Sequence, residues 1–347
     1  MIRCLVVDDS PTFRGVLRLA LEERPGITVV GEAADGEEAI RMAVELRPDV
    51  ITMDLRMPGR DGIEATREIM QRAPTRVLVL SADTDVGVGL RALQAGAVDV
   101  VGKPRLGPRG RFGVETAAIR AVIESIATNA PRPQQAPAPW RQAVALPGSA
   151  GLPPLAIGIG ASTGGPNAVF HVLAGLPNPF PVPILLAQHL AEGFHAGLAE
   201  WLSSGTRHAV KVAEEGEPVD PGRVYLAPPD RHLGVEDRRI ALSSGRPVDG
   251  FRPSASALFA SLAREYRGRA AGIVLTGMGR DGAGGLEEIR AAGGFTAAQG
   301  PASSVVFGMP QVALQSHAAR VQLELEELPS ALLRLAGIAT DDFPGYA

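Results

Sequence analysis

The chain has 347 residues, 45% of them hydrophobic and 21% charged, with a formal net charge of -4 at pH 7 and one cysteine. That length accommodates two domains with buried cores, and the composition excludes broad disorder. The slight negative balance excludes a general attraction to nucleic acid or anionic lipid, and the single Cys4 excludes an internal disulfide framework. No apolar stretch approaches membrane-spanning length, and the opening "MIRCLVVDD" turns acidic after one short run, unlike a secretory signal. The expectation is a cytoplasmic protein with no membrane insertion and no nucleic-acid partner.

In chain order, the strand-like runs are "CLVVD", "ITVVG", "DVITMD", "RVLVLS" and "VDVVG". Between them lie segments such as "TFRGVLRLALEE" and "GEEAIRMAVEL", whose apolar residues recur at helical spacing. This alternation predicts an α/β domain over residues 1–126, with a doubly wound parallel sheet covered by helices. Residues 127–153 are rich in Pro, Ala, Gln and Gly and predict an extended linker. Trp140 within it is either a docking side chain or an exposed aromatic without a role. Over 154–340 the runs "LAIGIG", "VPILLAQ", "AGIVLTG" and "FTAAQ" each precede a helix or a glycine-rich loop. They predict a second doubly wound parallel sheet of Rossmann-like type. Two hairpins are expected within it, around "HAVKVAEEGEPVDPGRVYLAP" and "HLGVEDRRIALSS". Residues 341–347 form a tail with no assigned role.

The first domain carries an acidic constellation. Asp8 and Asp9 end its first strand, Asp54 its third and Ser81 its fourth, while Lys103 follows the fifth. The carboxyl ends of a doubly wound sheet converge on one crevice. Carboxylates gathered there repel one another unless a cation is present, and oxygen-only ligation suits Mg²⁺. One carboxylate can then accept a phosphoryl group. The set resembles the response-regulator receiver family, flavodoxin-like in fold, over about residues 2–126, and "DLRMPGRDG" is similar to that family's loop after the third strand. The resemblance implies Asp54 as phospho-acceptor, Asp8, Asp9 and Asp54 as Mg²⁺ ligands, and Ser81 and Lys103 as phosphoryl contacts. Val100 stands where receivers often carry Tyr or Phe, so readout is expected through backbone and helix shifts.

The second domain raises the question of Ser162 in "GIGASTGGPN". A dinucleotide loop needs G-x-G-x-x-G, but the third position is Thr163, and the next strand ends in Gln188 and His189 rather than an acid. The cofactor reading therefore fails. The pattern G-x-S-x-G suits a nucleophile on a strand-to-helix turn. His189 follows the next strand at the same edge, and Asp281 lies on the glycine-rich loop after "GIVLTG". His189 would remove the hydroxyl proton and Asp281 would hold the imidazole tautomer. Backbone N–H groups near Thr163 and Met278 would form an oxyanion hole. On the residues alone a second reading stays open, in which Ser162 caps a helix and Asp281 fills a turn. The other histidines, at 171, 195, 208, 232 and 317, are expected to be ordinary core or surface residues.

The segments "IGASTGGP", "QH", "YLAPPDRHL", "RPS", "LTGMGRDGAGGL" and "ASSVVFGMP" resemble the catalytic domain of the CheB methylesterase family over about residues 154–340. A receiver, a linker and this domain in that order match the family's architecture. The resemblance implies the triad Ser162, His189 and Asp281, with no cofactor for the ester chemistry. It further implies hydrolysis of glutamate γ-methyl esters on the cytoplasmic helices of chemoreceptors, with deamidation of glutamine by the same machinery. A CheA-type histidine kinase would donate the phosphoryl group, and the receiver would restrain the esterase until phosphorylated. Leu190 replaces a usual methionine, Arg280 stands where a small residue is common, and "RPSAS" lacks an acid often found after its first serine. Two alternatives remain at this point: an esterase or deamidase acting on another protein, and a receiver-controlled binding protein with a degenerate esterase fold.

Overall fold

The computed structural model describes residues 1–81, 86–104, 114–129, 153–190 and 193–338. The chain divides into two units, Met1–Ala136 and Pro137–Ala347. Nearly all of the expected linker, with Trp140, and the expected tail lie outside the described residues.

The first unit alternates strand and helix throughout: β1 (Ile2–Val7), α1 (Pro11–Glu22), β2 (Ile27–Ala33), α2 (Gly36–Leu46), β3 (Val50–Asp54), α3 (Gly62–Arg72), β4 (Arg76–Ser81), α4 (Val86–Gln94), β5 (Asp99–Gly102) and α5 (Val114–Asn129). α5 thus runs into the first three positions of the expected linker. The strands form a parallel sheet in the order β2-β1-β3-β4-β5. Strands covered on both faces have no need of alternation, which is why they read as continuous apolar runs. Local signals fix the helix starts. Ser10, Asp35 and Asp61 each cap a helix by accepting backbone N–H bonds, and Pro11 opens α1 where no N–H is required.

The second unit contains β6 (Ala156–Ala161), α6 (Gly165–Ala174), β7 (Ile184–Gln188), α7 (Phe194–Thr206), β8 (Ala209–Val212), β9 (Arg223–Leu226), β10 (His232–Glu236), β11 (Arg239–Ser243), α8 (Ala255–Tyr266), β12 (Ala270–Val274), α9 (Ala283–Ala291), β13 (Phe295–Gln299), α10 (Met309–Gln315), β14 (Val321–Leu323) and α11 (Leu328–Leu335). Seven strands form a parallel sheet in the order β14-β13-β12-β6-β7-β9-β8. The order reverses between β6 and β12, so the crevice outside their carboxyl ends is the switch point of this sheet. α8 lies directly on β6. A side chain at Gly158 would put its Cβ 2.7 Å from Leu262 and 2.9 Å from Phe259, so the glycines of "AIGIG" admit the helix.

One expectation is corrected. β10 and β11 form an antiparallel hairpin, but β8 and β9 are parallel neighbours. Their connection returns along β11, where Gly216 donates to Ile240, Ile240 to Glu217, and Val219 to Arg238. Those bonds satisfy the connecting backbone and carry the chain back to the start of the sheet, which a hairpin turn would not do. Among the described residues no helix is long and apolar enough to cross a membrane.

Candidate functional sites

In the first unit the strand order turns between β1 and β3, and both end in acid. Asp8 and Asp54 are buried while Asp9 is exposed, and one oxygen from each lies within 4.8 Å of the others. Lys103 Nζ sits 2.8 Å from Asp8 Oδ2 and 2.8 Å from Asp54 Oδ2. The Lys103 backbone N–H donates to the carbonyl of Ser81, which is itself buried at the end of β4. All five predicted residues therefore share one carboxyl edge. Burial pushes the Asp54 carboxyl up, against the pull of the Lys103 ammonium. Burial also opposes the charge on Lys103, but its bonds to Asp54 and Asp8 outweigh this and hold it above its ordinary range. Three carboxylates against one ammonium leave an excess of negative charge on an all-oxygen donor set, which fits a magnesium ion. Phe13, absent from the sequence-based candidates, lies with its ring centroid 5.1 Å from Lys103 Nζ. Val100 is half-buried on β5.

In the second unit Ser162 directly follows β6 and His189 directly follows β7. The two strands pair Ala161 with Gln188, so the serine and the histidine are the next positions on neighbouring strands. The Ser162 N–H donates to Thr276 at 3.0 Å, which ties the nucleophile candidate to the β12 side as well. His189 Nε2 lies 2.8 Å from Asp281 Oδ2.

Asp281 is fully buried at the start of α8. Besides His189, its carboxylate accepts from Ser254 Oγ at 2.7 Å and from the N–H groups of Ala255, Ser256 and Gly282 at 2.7, 2.9 and 2.8 Å. A helix N-terminus presents such unpaired donors and favours negative charge. Burial alone would raise this carboxyl, but the bonds from His189, Ser254 and Ser256 prevail and hold it down at about 2. An ionised carboxylate only accepts, so the imidazole proton sits on Nε2. That leaves Nδ1 as the free lone pair, buried and without a partner among the described residues. Among the described residues Ser162 Oγ makes no hydrogen bond. Ser162 and His189 are joined through backbone and through Gln188, whose Nε2 donates to both of their carbonyl oxygens.

The backbone N–H groups of Thr163 and Met278 also donate to nothing among the described residues. Their orientation follows from the carbonyls on the same peptides. The carbonyl of Ser162 is held by Gln188, and that of Gly277 accepts from Gly308 and Met309. In a planar trans peptide the N–H points opposite to the C=O, so each of these donors faces away from the bonded side. Both peptides lie at the carboxyl edge that carries Ser162.

Sequence reasoning missed several residues here. The Phe251 ring stacks on the His189 imidazole with centroids 3.7 Å apart and planes 6° apart. Ser254 and Ser256 hold Asp281; the one available signal was Ser254 as N-cap of the helix that follows "RPS". Thr276 receives Val306 N–H on its hydroxyl while that hydroxyl donates to Thr163, which pins the 301–308 loop beside the site. Of the departures noted above, Leu190 is half-buried, and Arg280 is largely exposed with its Nε 3.7 Å from Asp249.

The profile of the family described as CheB methylesterase matches residues 157–332, and that of the response regulator receiver domain matches residues 4–108. A Myxococcus xanthus protein named protein-glutamate methylesterase/protein-glutamine glutaminase 4 is 45% identical over 95% of this chain and 96% of that protein. An Anaeromyxobacter dehalogenans protein of the same name, numbered 2, is 44% identical over 96% of this chain and 97% of its own length. The crystal structure of the Thermotoga maritima CheB methylesterase catalytic domain is 35% identical, with a TM-score of 0.51, and covers 52% of this chain and 98% of that one. With two profiles in the expected order and full-length relatives above 40% identity, the chain belongs to the CheB methylesterase family.

Proposed function

We propose that this chain is a phosphorylation-controlled protein-glutamate methylesterase that also deamidates protein glutamine. The observation that carries the reading is the buried His189–Asp281 pair, 2.8 Å apart, on loops that flank Ser162 at the switch point of the sheet. The names of the relatives support the pair of activities. The substrates are γ-methyl esters of glutamate on the cytoplasmic helices of chemoreceptors.

Ser162 Oγ attacks the ester carbonyl carbon as His189 Nδ1 takes its proton. Catalytic pairs of this kind commonly tighten only once substrate is bound. Asp281 accepts from Nε2–H and stabilises the imidazolium. Negative charge on the carbonyl oxygen is met by the N–H groups of Thr163 and Met278. Collapse breaks the ester C–O bond, and His189 returns the proton so that methanol leaves. Water then loses a proton to Nδ1 and attacks the acyl carbon; the acyl–Oγ bond breaks as Nδ1 passes that proton to Ser162 Oγ, which frees glutamate and restores the serine. A glutamine side chain follows the same course with ammonia as leaving group. These steps draw on side chains and backbone N–H groups alone.

In the receiver, Asp54 accepts the phosphoryl group from a CheA-type histidine kinase, and Ser81 and Lys103 contact it. Asp8, Asp9 and Asp54 would hold Mg²⁺, which when bound offsets the charge of phosphoryl oxygens. Phosphorylation adds about −1.5 to −2 of charge at Asp54, and with Val100 in place of an aromatic the response passes through backbone and helix shifts. The unphosphorylated receiver restrains the esterase. The test is methanol release from methylated receptor by wild type and Ser162→Ala; equal release removes Ser162 as nucleophile. A small acyl phosphate should raise the rate of wild type and leave Asp54→Asn unchanged.

A further inference from the structure

Gln188 is 1% exposed at the end of β7, and no step above uses it. Its Nε2 lies 2.8 Å from the carbonyl oxygen of Ser162 and 3.0 Å from that of His189. Both partners only accept, so the NH₂ end faces them and each of its protons has one acceptor. Its Oε1 is buried and has no hydrogen-bond partner among the described residues. The side chain is therefore oriented by its two donors alone, and both go to residues of the relay. A side chain that merely filled the strand end would need neither.

Two consequences follow. One amide spans neighbouring strands and fixes the backbone of the nucleophile relative to that of the base. The same amide, together with Gly165 N–H at 2.7 Å, holds the Ser162 carbonyl, and so sets where the Thr163 N–H of that peptide points. We propose that Gln188 is a positioning residue for the esterase, setting Ser162 against His189 and aiming the Thr163 N–H at the developing oxyanion. The proposal rests on the esterase reading above. It also accounts for the second glycine of "STGG". A Cβ at Gly165 would press into Gln188 Oε1 and lie 2.8 Å from Ala161 Cβ and 2.9 Å from Gln188 Cδ, so any larger residue there pushes on the amide as well as on the end of β6.

The test uses the full chain and methylated receptor, with active sites counted by complete fluorophosphonate labelling of Ser162. Gln188→Met keeps the volume and removes both donors. The expected result is a fall of about 10²-fold in kcat per labelled site, the loss typical of one oxyanion donor, with KM within about threefold. Gly165→Ala retains Gln188 but pushes its amide aside, and should lower kcat at least about tenfold. The double variant should lose little beyond Gln188→Met, because both changes break one clamp. A merely structural role would lower the labelled fraction and leave the rate per labelled site unchanged; that result overturns the proposal, as do a change confined to KM and strictly additive losses. If Gln188→Met does not fold, Gly165→Ala decides alone, and its unchanged rate per site overturns the proposal. Failure of the esterase reading looks different: Ser162→Ala would then release methanol as fast as wild type.

Discussion

Replacing Asp281 by asparagine keeps the shape and removes the charge, and the surroundings make that small change severe. Five groups donate to the carboxylate: His189, Ser254, Ala255, Ser256 and Gly282. Asparagine offers one acceptor oxygen, so its NH₂ must face either the Oδ1 or the Oδ2 partners. Facing Oδ2, it leaves the Ala255 N–H without an acceptor and donates to His189 Nε2. A buried donor left unpaired costs about 1–3 kcal/mol, and the helix end loses its counter-charge, worth up to about 2 kcal/mol where partly buried. The carboxyl itself gives a second estimate. Holding it at about 2 instead of 3.8 corresponds to roughly 2–3 kcal/mol at about 1.4 kcal/mol per pH unit. The sign follows from the direction: a depressed carboxyl stabilises the fold above its ordinary value, and that contribution is lost as pH falls towards about 2. Wild type and Asp281→Asn should therefore differ by about 2–3 kcal/mol at pH 7, and the gap should close by about half near pH 3. Urea unfolding followed by tryptophan emission reads this, because Trp201 is buried on α7 of the second unit. Catalysis should fall about 10⁴-fold, since an amide donating to Nε2 forces the proton onto Nδ1, the atom proposed above to accept from Ser162. A stability gap below about 1 kcal/mol at pH 7, or one unchanged at pH 3, would refute the reasoning.

Three further outcomes are expected. His195 is buried with neither ring nitrogen bonded among the described residues, and burial lowers it to about 4. It stabilises the fold above its ordinary 6.5 and loses roughly 3 kcal/mol as pH falls towards about 4; His195→Phe should flatten the urea midpoint across that window, and an unchanged slope rules this out. Phe251→Ala removes the ring stacked 3.7 Å from the imidazole and should cost about tenfold in kcat, while Phe251→Tyr keeps the rate; equal losses in both variants would show that stacking is not the cause. Gly277→Ala would bring a Cβ within 2.6 Å of Ser162 Cβ and 2.5 Å of Met309 Sδ. Methanol release should drop about 10²-fold, and a wild-type rate would mean the 277 turn yields freely.

The strands were legible because sheets covered on both faces need unbroken apolar runs, and the helix starts because Ser10, Asp35 and Asp61 are local caps. The residues gathered at the two sites followed from one topological rule, that side chains at strand carboxyl ends meet at a switch point. What escaped depends on tertiary placement. The β8–β9 pair read as a hairpin because the turn-rich 213–222 segment is short; only its bonds to β11 reveal a parallel return. Gln188 was read as a missing acid rather than as an amide facing two carbonyls. Phe251 sits 62 positions from the ring it covers, as the numbering shows, and no periodicity marks such a pair.

That last omission bears on how the imidazole is held. A histidine side chain is placed by two torsions. The Asp281 carboxylate fixes the direction of Nε2, and the Phe251 face fixes the plane of the ring, so together they determine where Nδ1 points. Both restraints come from one short segment: Phe251 supplies the face, while Ser254, Ala255 and Ser256 hold the carboxylate. The segment is anchored in turn by Arg252, which binds Asp230 and the carbonyls of Ser244 and Gly245. The imidazole is therefore aimed by a segment more than sixty positions away in the sequence. Loosening that anchor, as in Arg252→Met, should lower kcat with little change in KM, because it frees the ring while leaving Ser162 and Asp281 in place.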